Sequence, residues 1–446
     1  MKKIIIIGGV AAGMSAAAKA RRIDKEAKIT VYEKTEFVSW GACGMPYYVG
    51  GFFDDSNVMI ARTFEETVKS GINLKIKNEV IKIDSKNKKV LVKDLETNEA
   101  FEDEYDSLLI TTGAKAIIPN IKNIDIGNVS TLKDFKDALD MKEKMKDSNI
   151  KNVIILGAGF IAIEIAHALK HLGKNVSIIQ RSDRVFGNKF DKEFSDLAIE
   201  HIKEKVDLNL NEKVLSLEAD DNNNVKAVIT DKGKYAADYV VVAIGVIPNS
   251  DLAKETEIKL TDKGAIIIDR EGRTSIDSIF AAGDCATIYD KVLDGQNHYA
   301  LATGANKLGR MIASNLVGGK EKFLGSLGSA CILAFEMEFA RTGITEEEAK
   351  KRNINYKTVM IKDSDHTHYY PNYEDLHIKL VYSADNRKIL GGQIMGKRGA
   401  VLRADVIAAA IYSELTVDEL GMLDLCYAPP FARTWDALNV AGNAAK

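Results

Sequence analysis

The sequence predicts an α/β protein: two Rossmann-like dinucleotide-binding units followed by a C-terminal α+β region. Three observations predict it. A glycine-rich turn follows an apolar strand over residues 3–13, and a second such turn follows another strand over residues 152–162. In the last 120 residues the segment Leu376–Tyr382 alternates instead, as antiparallel strands do.

In the first unit, Lys3–Ile7 reads as a strand, its Ile4–Ile7 continuously apolar, the pattern of a parallel strand covered on both faces. Gly8–Gly13 forms the turn, Ala11–Arg22 an alanine-rich helix, and Ile29–Tyr32 the next strand, ending at Glu33. Such a unit seats a pyrophosphate on the helix N-terminus, and an acidic residue about 20 positions on receives the ribose hydroxyls. Gly8, Val10, Ala11, Ala12 and Gly13 are therefore candidate phosphate-side contacts, with Glu33 and Lys34 beside the ribose. Val10 fills the middle position of G-x-G-x-x-G, which leaves open a glycine-rich turn without a ligand.

The second unit fits the pattern more closely. After the strand Asn152–Leu156, the residues Gly157-Ala158-Gly159-Phe160-Ile161-Ala162 open a helix running to about Leu172. The strand Asn175–Ile179 then ends at Gln180-Arg181, where no carboxylate stands for a 2′-hydroxyl. Arg181 and Arg184 could instead meet a 2′-phosphate, which favours NADPH over NADH; arginines simply facing water are the alternative. Gly157, Gly159, Phe160, Ile161, Ala162, Gln180, Arg181 and Gly245 are the candidate NAD(P)H contacts.

Two nucleotide sites in one chain suggest flavin at one and nicotinamide at the other. Downstream pieces agree. Asp106–Thr112 is an apolar strand leading into Gly113-Ala114, and Tyr239–Gly245 is a similar strand before Val246-Ile247-Pro248-Asn249. A third, from Ser278, ends in Gly283-Asp284, and an aspartate after a tight turn suits a flavin's ribityl hydroxyls. Thr112, Gly113, Gly283 and Asp284 join the flavin-side candidates.

In the C-terminal region, Leu376–Tyr382 alternates, Lys388–Met395 reads as a strand and Ala400–Ser413 as a helix. Thr416-Val417-Asp418-Glu419 carries the capping-box spacing that opens a further helix. An antiparallel sheet flanked by helices and covered by a twofold partner suits this pattern.

Composition excludes several classes. The 446 residues carry 61 basic and 64 acidic side chains, a net charge of −3, so no field collects nucleic acid or an acidic membrane surface. Lys86-Asn87-Lys88-Lys89 reads as a solvated turn. The apolar run Ile4–Ile7 is cut by glycines, too short for a signal peptide. No stretch approaches the roughly 18 apolar residues of a membrane span, and a cytoplasmic location is expected. The four cysteines, Cys43, Cys285, Cys331 and Cys426, lie far apart without metal-ligand spacing, so no metal site and four reduced thiols are expected. His366 and His368 read as a surface turn.

Cys43 stands out, within SWGACGMPYYVGG. Gly41, Gly44 and Pro46 imply a tight, approachable turn before a predicted helix, where a helix N-terminus and a flavin edge would favour thiolate. A buried, inert cysteine is the alternative.

Taken together, GGVAAG with YEK, the Thr-Thr-Gly near 112, GAGFIA and FAAGDCA resemble the two-dinucleotide-fold flavoprotein disulfide reductases over the first 330 residues. The resemblance implies an FAD domain of residues 1–115 and 245–325, an NAD(P)H domain of 116–244 and a dimerisation domain of 326–446. Tyr48 stands where glutathione-reductase-like members place a second cysteine. A lone cysteine resembles the branch of coenzyme A disulfide reductases, NADH oxidases, NADH peroxidases and persulfide reductases. There the cysteine works as a mixed disulfide with coenzyme A, a sulfenic acid or a persulfide.

HTHYYP at 366–371 and CYAPPF at 426–431 are similar to motifs of coenzyme A disulfide reductases. The similarity implies a homodimer in which Tyr369 and Tyr427 reach the partner subunit's Cys43 and donate to the leaving thiolate. Tyrosines packed at an interface, or Tyr370 in place of Tyr369, are the alternatives. Arg22 and Ser39 match coenzyme A contacts, although Arg22 could equally be a charge at a helix C-terminus. Ala42 replaces a common asparagine, which keeps the oxidase reading open. A rhodanese extension is not expected.

The implied activity is FAD-dependent NAD(P)H reduction of coenzyme A disulfide through Cys43. NADH oxidase acting through a Cys43 sulfenate, coenzyme A persulfide or polysulfide reductase, and a flavin-binding sensor with little turnover are the other readings.

Overall fold

The computed structural model describes residues Met1–Lys446. The apolar runs become the central strands of two parallel sheets, each of five strands. In the first, Lys3–Ile7 lies between Lys28–Tyr32 and Ser107–Ile110, with Ile279–Ala281 and Asn73–Lys75 at the edges. Ile4 to Ile7 are all buried, as a strand covered on both faces requires. In the second, Asn152–Leu156 occupies the same central place between Asn175–Ile179 and Tyr239–Val242.

The chain crosses between the two sheets and returns through one antiparallel ribbon, Ala114–Ala116 paired with Val246–Pro248. Small antiparallel sheets within 78–104 and 214–236 flank the parallel ones. The helices start and stop within about a residue of their sequence assignments: Ala11–Ile23 and Phe160–His171. Three strands are shorter than predicted. Ser107–Ile110, Tyr239–Val242 and Ile279–Ala281 end early because the residues after them turn into loops that face the nucleotide clefts.

The third sheet is antiparallel, in the order Ala330–Ala334, Met337–Gly343, Ile389–Gly396, Asp375–Ser383, Tyr356–Ser364. Leu376, Ile378, Leu380 and Tyr382 share a core with Ala404, Ile407 and Ile411 of the helix Ala400–Tyr412. The capping box at Thr416 and Glu419 forms.

The opposite face of this sheet is covered too. Lys379 is 2% exposed, because it meets the second parallel unit. Its Nζ lies 3.2 Å from Asp191, 2.9 Å from Glu193 and 2.6 Å from Glu346. The Asp191 carboxylate also accepts from Gln393 Nε2 (2.6 Å) and from the backbone N–H groups of Glu346 (3.0 Å) and Glu347 (3.1 Å). One aspartate thus receives the start of a helix that belongs to the other unit.

His366 departs from expectation. The turn forms and His368 is exposed, but His366 is buried, with Nδ1 2.8 Å from the Asp365 carboxylate. That partner makes burial of the imidazole tolerable. No helix is long and apolar enough to cross a membrane.

Candidate active site

Both dinucleotide turns depend on glycine. Gly8 has φ +107° and Gly157 φ +105°; a Cβ would sit 2.3 Å from Thr111 O or 2.5 Å from Ala243 O. Val10 caps the first helix and Gly159 the second, and neither helix has a side-chain cap or an acidic residue in its first turn. The leading N–H groups of each helix therefore remain available to an anion.

Glu33 is locked at the end of its strand: Oε2 accepts from Gly9 N (2.8 Å) and Oε1 from Thr35 N (2.9 Å). Thr112 Oγ1 donates to Asn249 O, and Gly113 O accepts from Asn249 N at 2.9 Å, tying this loop to the crossover ribbon. The Asp284 carboxylate has no hydrogen-bond donor within the chain, and burial pushes its pKa up against the pull of Lys133 and His298. An unpartnered carboxylate in the loop packed against the start of the first helix fits a group that brings hydroxyls and a pyrophosphate.

At the second cleft, Gln180 Nε2 donates to Ser182 Oγ (2.8 Å) and to Arg184 O (3.2 Å). Arg184 is withdrawn from the expected phosphate role: both terminal nitrogens bind Glu347, NH1 at 2.9 Å. The charge of Glu347 satisfies it across the seam to the third sheet. Arg181 stays exposed.

A cavity of 2180 Å³ joins the first nucleotide turn and the Gly283-Asp284 loop to the start of the helix Phe160–His171, whereas Gly157, Gly159, Ala162, Gln180, Arg181 and Gly245 are not on its wall. Val10, Ala11, Ala12, Lys34, Gly283 and Asp284 line it, together with Phe160 and Ile161. Gly13 is buried behind it. Arg22, Ser39 and Ala42 are on its wall. Ser39 holds a left-handed backbone (φ 52°), and its N–H bonds Gly9 O at 2.9 Å, joining the cysteine loop to the first nucleotide turn.

Cys43 sits in the short turn Ala42–Gly44, just before the helix Met45–Val49. Its thiol is open to the cavity, which removes the buried, inert reading. The chain's own groups do not favour thiolate, contrary to expectation. Partial burial against the cavity wall pushes the thiol up, and the charges of Glu164, Asp284 and Cys331 add to it. The following helix, with only five residues, is too short to offset two nearby carboxylates.

Tyr369 and Tyr427 do not line this cavity in the same subunit. Their hydroxyls bond each other at 2.8 Å on an exposed face that also presents Phe431 and Trp435.

Sequence reasoning missed several wall residues. Glu164 lies on the helix Phe160–His171; burial pushes its carboxyl up to about 7, and a Tyr47 hydrogen bond opposes the shift. Its signal was there, the one acidic residue in FIAIEIAHALKH. Cys331, Arg62, Lys307 and Arg310 also line the cavity, and nothing in the local sequence marks them. Cys285 is buried, with its thiol 3.4 Å from Ala282 O, and is a core residue.

Residues 2–309 match the family described as pyridine nucleotide-disulphide oxidoreductase, and residues 329–438 match its dimerisation domain. The chain belongs to this family. It is an FAD- and NAD(P)H-dependent oxidoreductase, and a dimerisation domain follows the nucleotide-binding part.

Family members that resemble it bear three different activities. An NAD(P)H sulfur oxidoreductase (CoA-dependent) of Pyrococcus furiosus is 37% identical over 445 residues, covering 100% of this chain and 99% of the relative. A coenzyme A disulfide reductase of Staphylococcus aureus is 32% identical, with 100% of each covered. The structure of a water-forming NADH oxidase from Lactobacillus brevis bound to NADH superposes with a TM-score of 0.94 at 31% identity. That match covers 100% of this chain and 98% of the oxidase.

Proposed function

We propose that this oxidoreductase uses NAD(P)H to reduce coenzyme A disulfide, with Cys43 as its single redox cysteine. The observation that carries the reading is an accessible Cys43 thiol on the wall of a cavity that also presents Arg22, Arg62, Lys307 and Arg310. Coenzyme A carries a diphosphate and a 3′-phosphate, and guanidinium groups suit both.

FAD, when bound, relays an electron pair from nicotinamide to sulfur. The Gly8–Gly13 turn and the first helix N-terminus would hold its pyrophosphate, Glu33 its ribose and Asp284 its ribityl hydroxyls. Gly157 to Ala162 do the same for the nicotinamide dinucleotide, and Arg181 meets a 2′-phosphate. The Cys43 thiolate attacks one sulfur of the disulfide, forms a mixed disulfide and releases one coenzyme A thiolate. Glu164, with its carboxyl near neutrality, can exchange the proton that Cys43 loses. Tyr369 and Tyr427 of the partner subunit protonate the leaving thiolate, which requires the homodimer.

In this reading residues 1–115 and 245–325 form the FAD domain, 116–244 the NAD(P)H domain and 326–446 the dimerisation domain of a cytoplasmic enzyme.

A second reading, coenzyme A-dependent reduction of sulfur or persulfide, is favoured by the 37% identity to the Pyrococcus enzyme. Anaerobic NAD(P)H oxidation separates them. Turnover with coenzyme A disulfide supports the first. Turnover only with polysulfide plus coenzyme A, with sulfide released, replaces it with the second. NAD(P)H oxidation that requires oxygen and no disulfide overturns both in favour of an oxidase.

A further inference from the structure

Arg184 and Glu347 stand 163 positions apart in sequence and meet fork to fork. Both terminal nitrogens of the guanidinium donate to the carboxylate, Nη1 to Oε2 at 2.9 Å and Nη2 to Oε1. The arginine side chain is only 18% exposed, so water screens the pair less than an ordinary surface ion pair; Glu347 is 42% exposed. Asp183 and Asp191 also act on Arg184, but Glu347 is the carboxylate that bonds it.

Both ends of the pair are anchored. Arg184 closes the loop 180–184, which follows the strand Asn175–Ile179 directly. Its carbonyl accepts from Gln180 Nε2 at 3.2 Å, and Asn211 N donates to Ser182 O at 3.0 Å. Two residues on, Phe186 N donates to Ala158 O at 2.8 Å, inside the second glycine turn. Arg184 therefore stands between the strand end where an adenosine ribose is expected and the turn where a pyrophosphate is expected.

Glu347 lies in the first turn of the helix Glu346–Lys351, on the third-sheet side of the seam. The Asp191 carboxylate accepts its N–H at 3.1 Å and that of Glu346 at 3.0 Å. Thr345 Oγ1 caps the same helix by accepting from Glu348 N at 3.1 Å. Moving Glu347 along with the arginine breaks these bonds.

We propose that Glu347 is a positioning residue that sets the choice between NADPH and NADH by holding Arg184 out of reach of a 2′-phosphate. This role rests on the cleft after Asn175–Ile179 being the seat of the dinucleotide, as proposed above. NADPH recruits Arg184 only by displacing a bidentate carboxylate, which then faces the incoming phosphate as a like charge. NADH brings no phosphate there and leaves the pair intact. The cost falls on NADPH alone, and Arg181, exposed on the same loop, is the cation that remains free for it. Cofactor choice is thus set in part by a residue outside the nucleotide unit.

The test uses the FAD-loaded, full-length enzyme with no disulfide present. Anaerobic stopped-flow bleaching of the flavin gives a limiting rate and a half-saturating concentration for NADPH and for NADH. Calorimetry with NADP⁺ and NAD⁺ on the oxidised enzyme reads binding alone. Glu347→Gln keeps the side-chain length and the backbone N–H on Asp191, so the seam persists. In this variant half-saturation by NADPH should fall about tenfold, the value of one charge-assisted hydrogen bond, and NADP⁺ should bind correspondingly tighter. The NADH and NAD⁺ constants and both limiting rates should stay within about twofold.

In the double variant Arg184→Ala, Glu347→Gln the gain for NADPH should disappear, which separates the arginine from mere relief of repulsion. An unchanged NADPH constant in Glu347→Gln, an equal gain for NADH, or a gain that survives removal of Arg184 overturns the proposal and leaves Cys43 untouched. A wild-type flavin that neither nucleotide bleaches overturns it together with the reading beneath it.

Discussion

Replacing Lys379 with methionine should loosen the seam between the second parallel unit and the third sheet. The lysine loses three carboxylate contacts, to Asp191, Glu193 and Glu346. Glu193 and Glu346 are partly exposed and regain water, whereas Asp191 is 1% exposed and cannot. Breaking a buried ion pair by removing one partner costs about 3–5 kcal/mol. Asp191 keeps three N–H donors, from Gln393, Glu346 and Glu347, so the lower end applies. About 3 kcal/mol corresponds to roughly 150-fold in a local opening equilibrium.

Hydrogen exchange followed by mass spectrometry reads this directly, in a peptide spanning the Glu346 and Glu347 amides. Their exchange should accelerate by roughly two orders of magnitude, while a peptide over Ile4–Ile7 in the first sheet is unchanged. Acceleration below about fivefold at Glu346 and Glu347 would refute the assignment of the lysine as the clamp of the seam.

Three other outcomes are expected. Gly13→Ala puts a Cβ 2.0 Å from Gly8 O, and overpacking of about 1–3 kcal/mol should weaken flavin retention roughly tenfold; an unchanged ratio of flavin to protein absorbance refutes it. On the proposed role of Arg181 at a 2′-phosphate, Arg181→Ala forgoes a charge-assisted contact of about 1.5–3 kcal/mol, raising KM for NADPH at least tenfold and leaving NADH unaffected. Equal effects on both cofactors would show that Arg181 only faces water. Glu164→Gln removes a negative neighbour that raises the Cys43 thiol, so the pH midpoint for alkylation of Cys43 by iodoacetamide should move down. A midpoint that stays or rises contradicts the placement of that carboxylate.

The two nucleotide units were legible because their signals are local. Ile4–Ile7 and Val153–Leu156 are apolar runs of the kind a doubly covered strand needs, and each is followed at once by the glycine its turn requires. The alternation over Leu376–Tyr382 likewise revealed its strand. It did not reveal that Lys379 is buried, because the partners lie on another unit, almost 190 positions away at Asp191.

Arg184 failed for the same reason. Its neighbourhood in sequence offers phosphate chemistry, and its neighbourhood in space offers Glu347. Glu164 neighbours Cys43 only in space, because the helix Phe160–His171 that carries it packs against Met45–Val49. The basicity of the Cys43 thiol is also a tertiary property, set by burial and by carboxylates on other segments.

The central claim is that electrons reach the substrate through Cys43. Anaerobic stopped-flow on flavin-loaded Cys43→Ser tests it most directly, because the two half-reactions separate. NAD(P)H should still bleach the flavin of the variant at close to the wild-type rate, and coenzyme A disulfide should then fail to reoxidise it. A variant whose reduced flavin is reoxidised by coenzyme A disulfide as fast as the wild type would contradict the account.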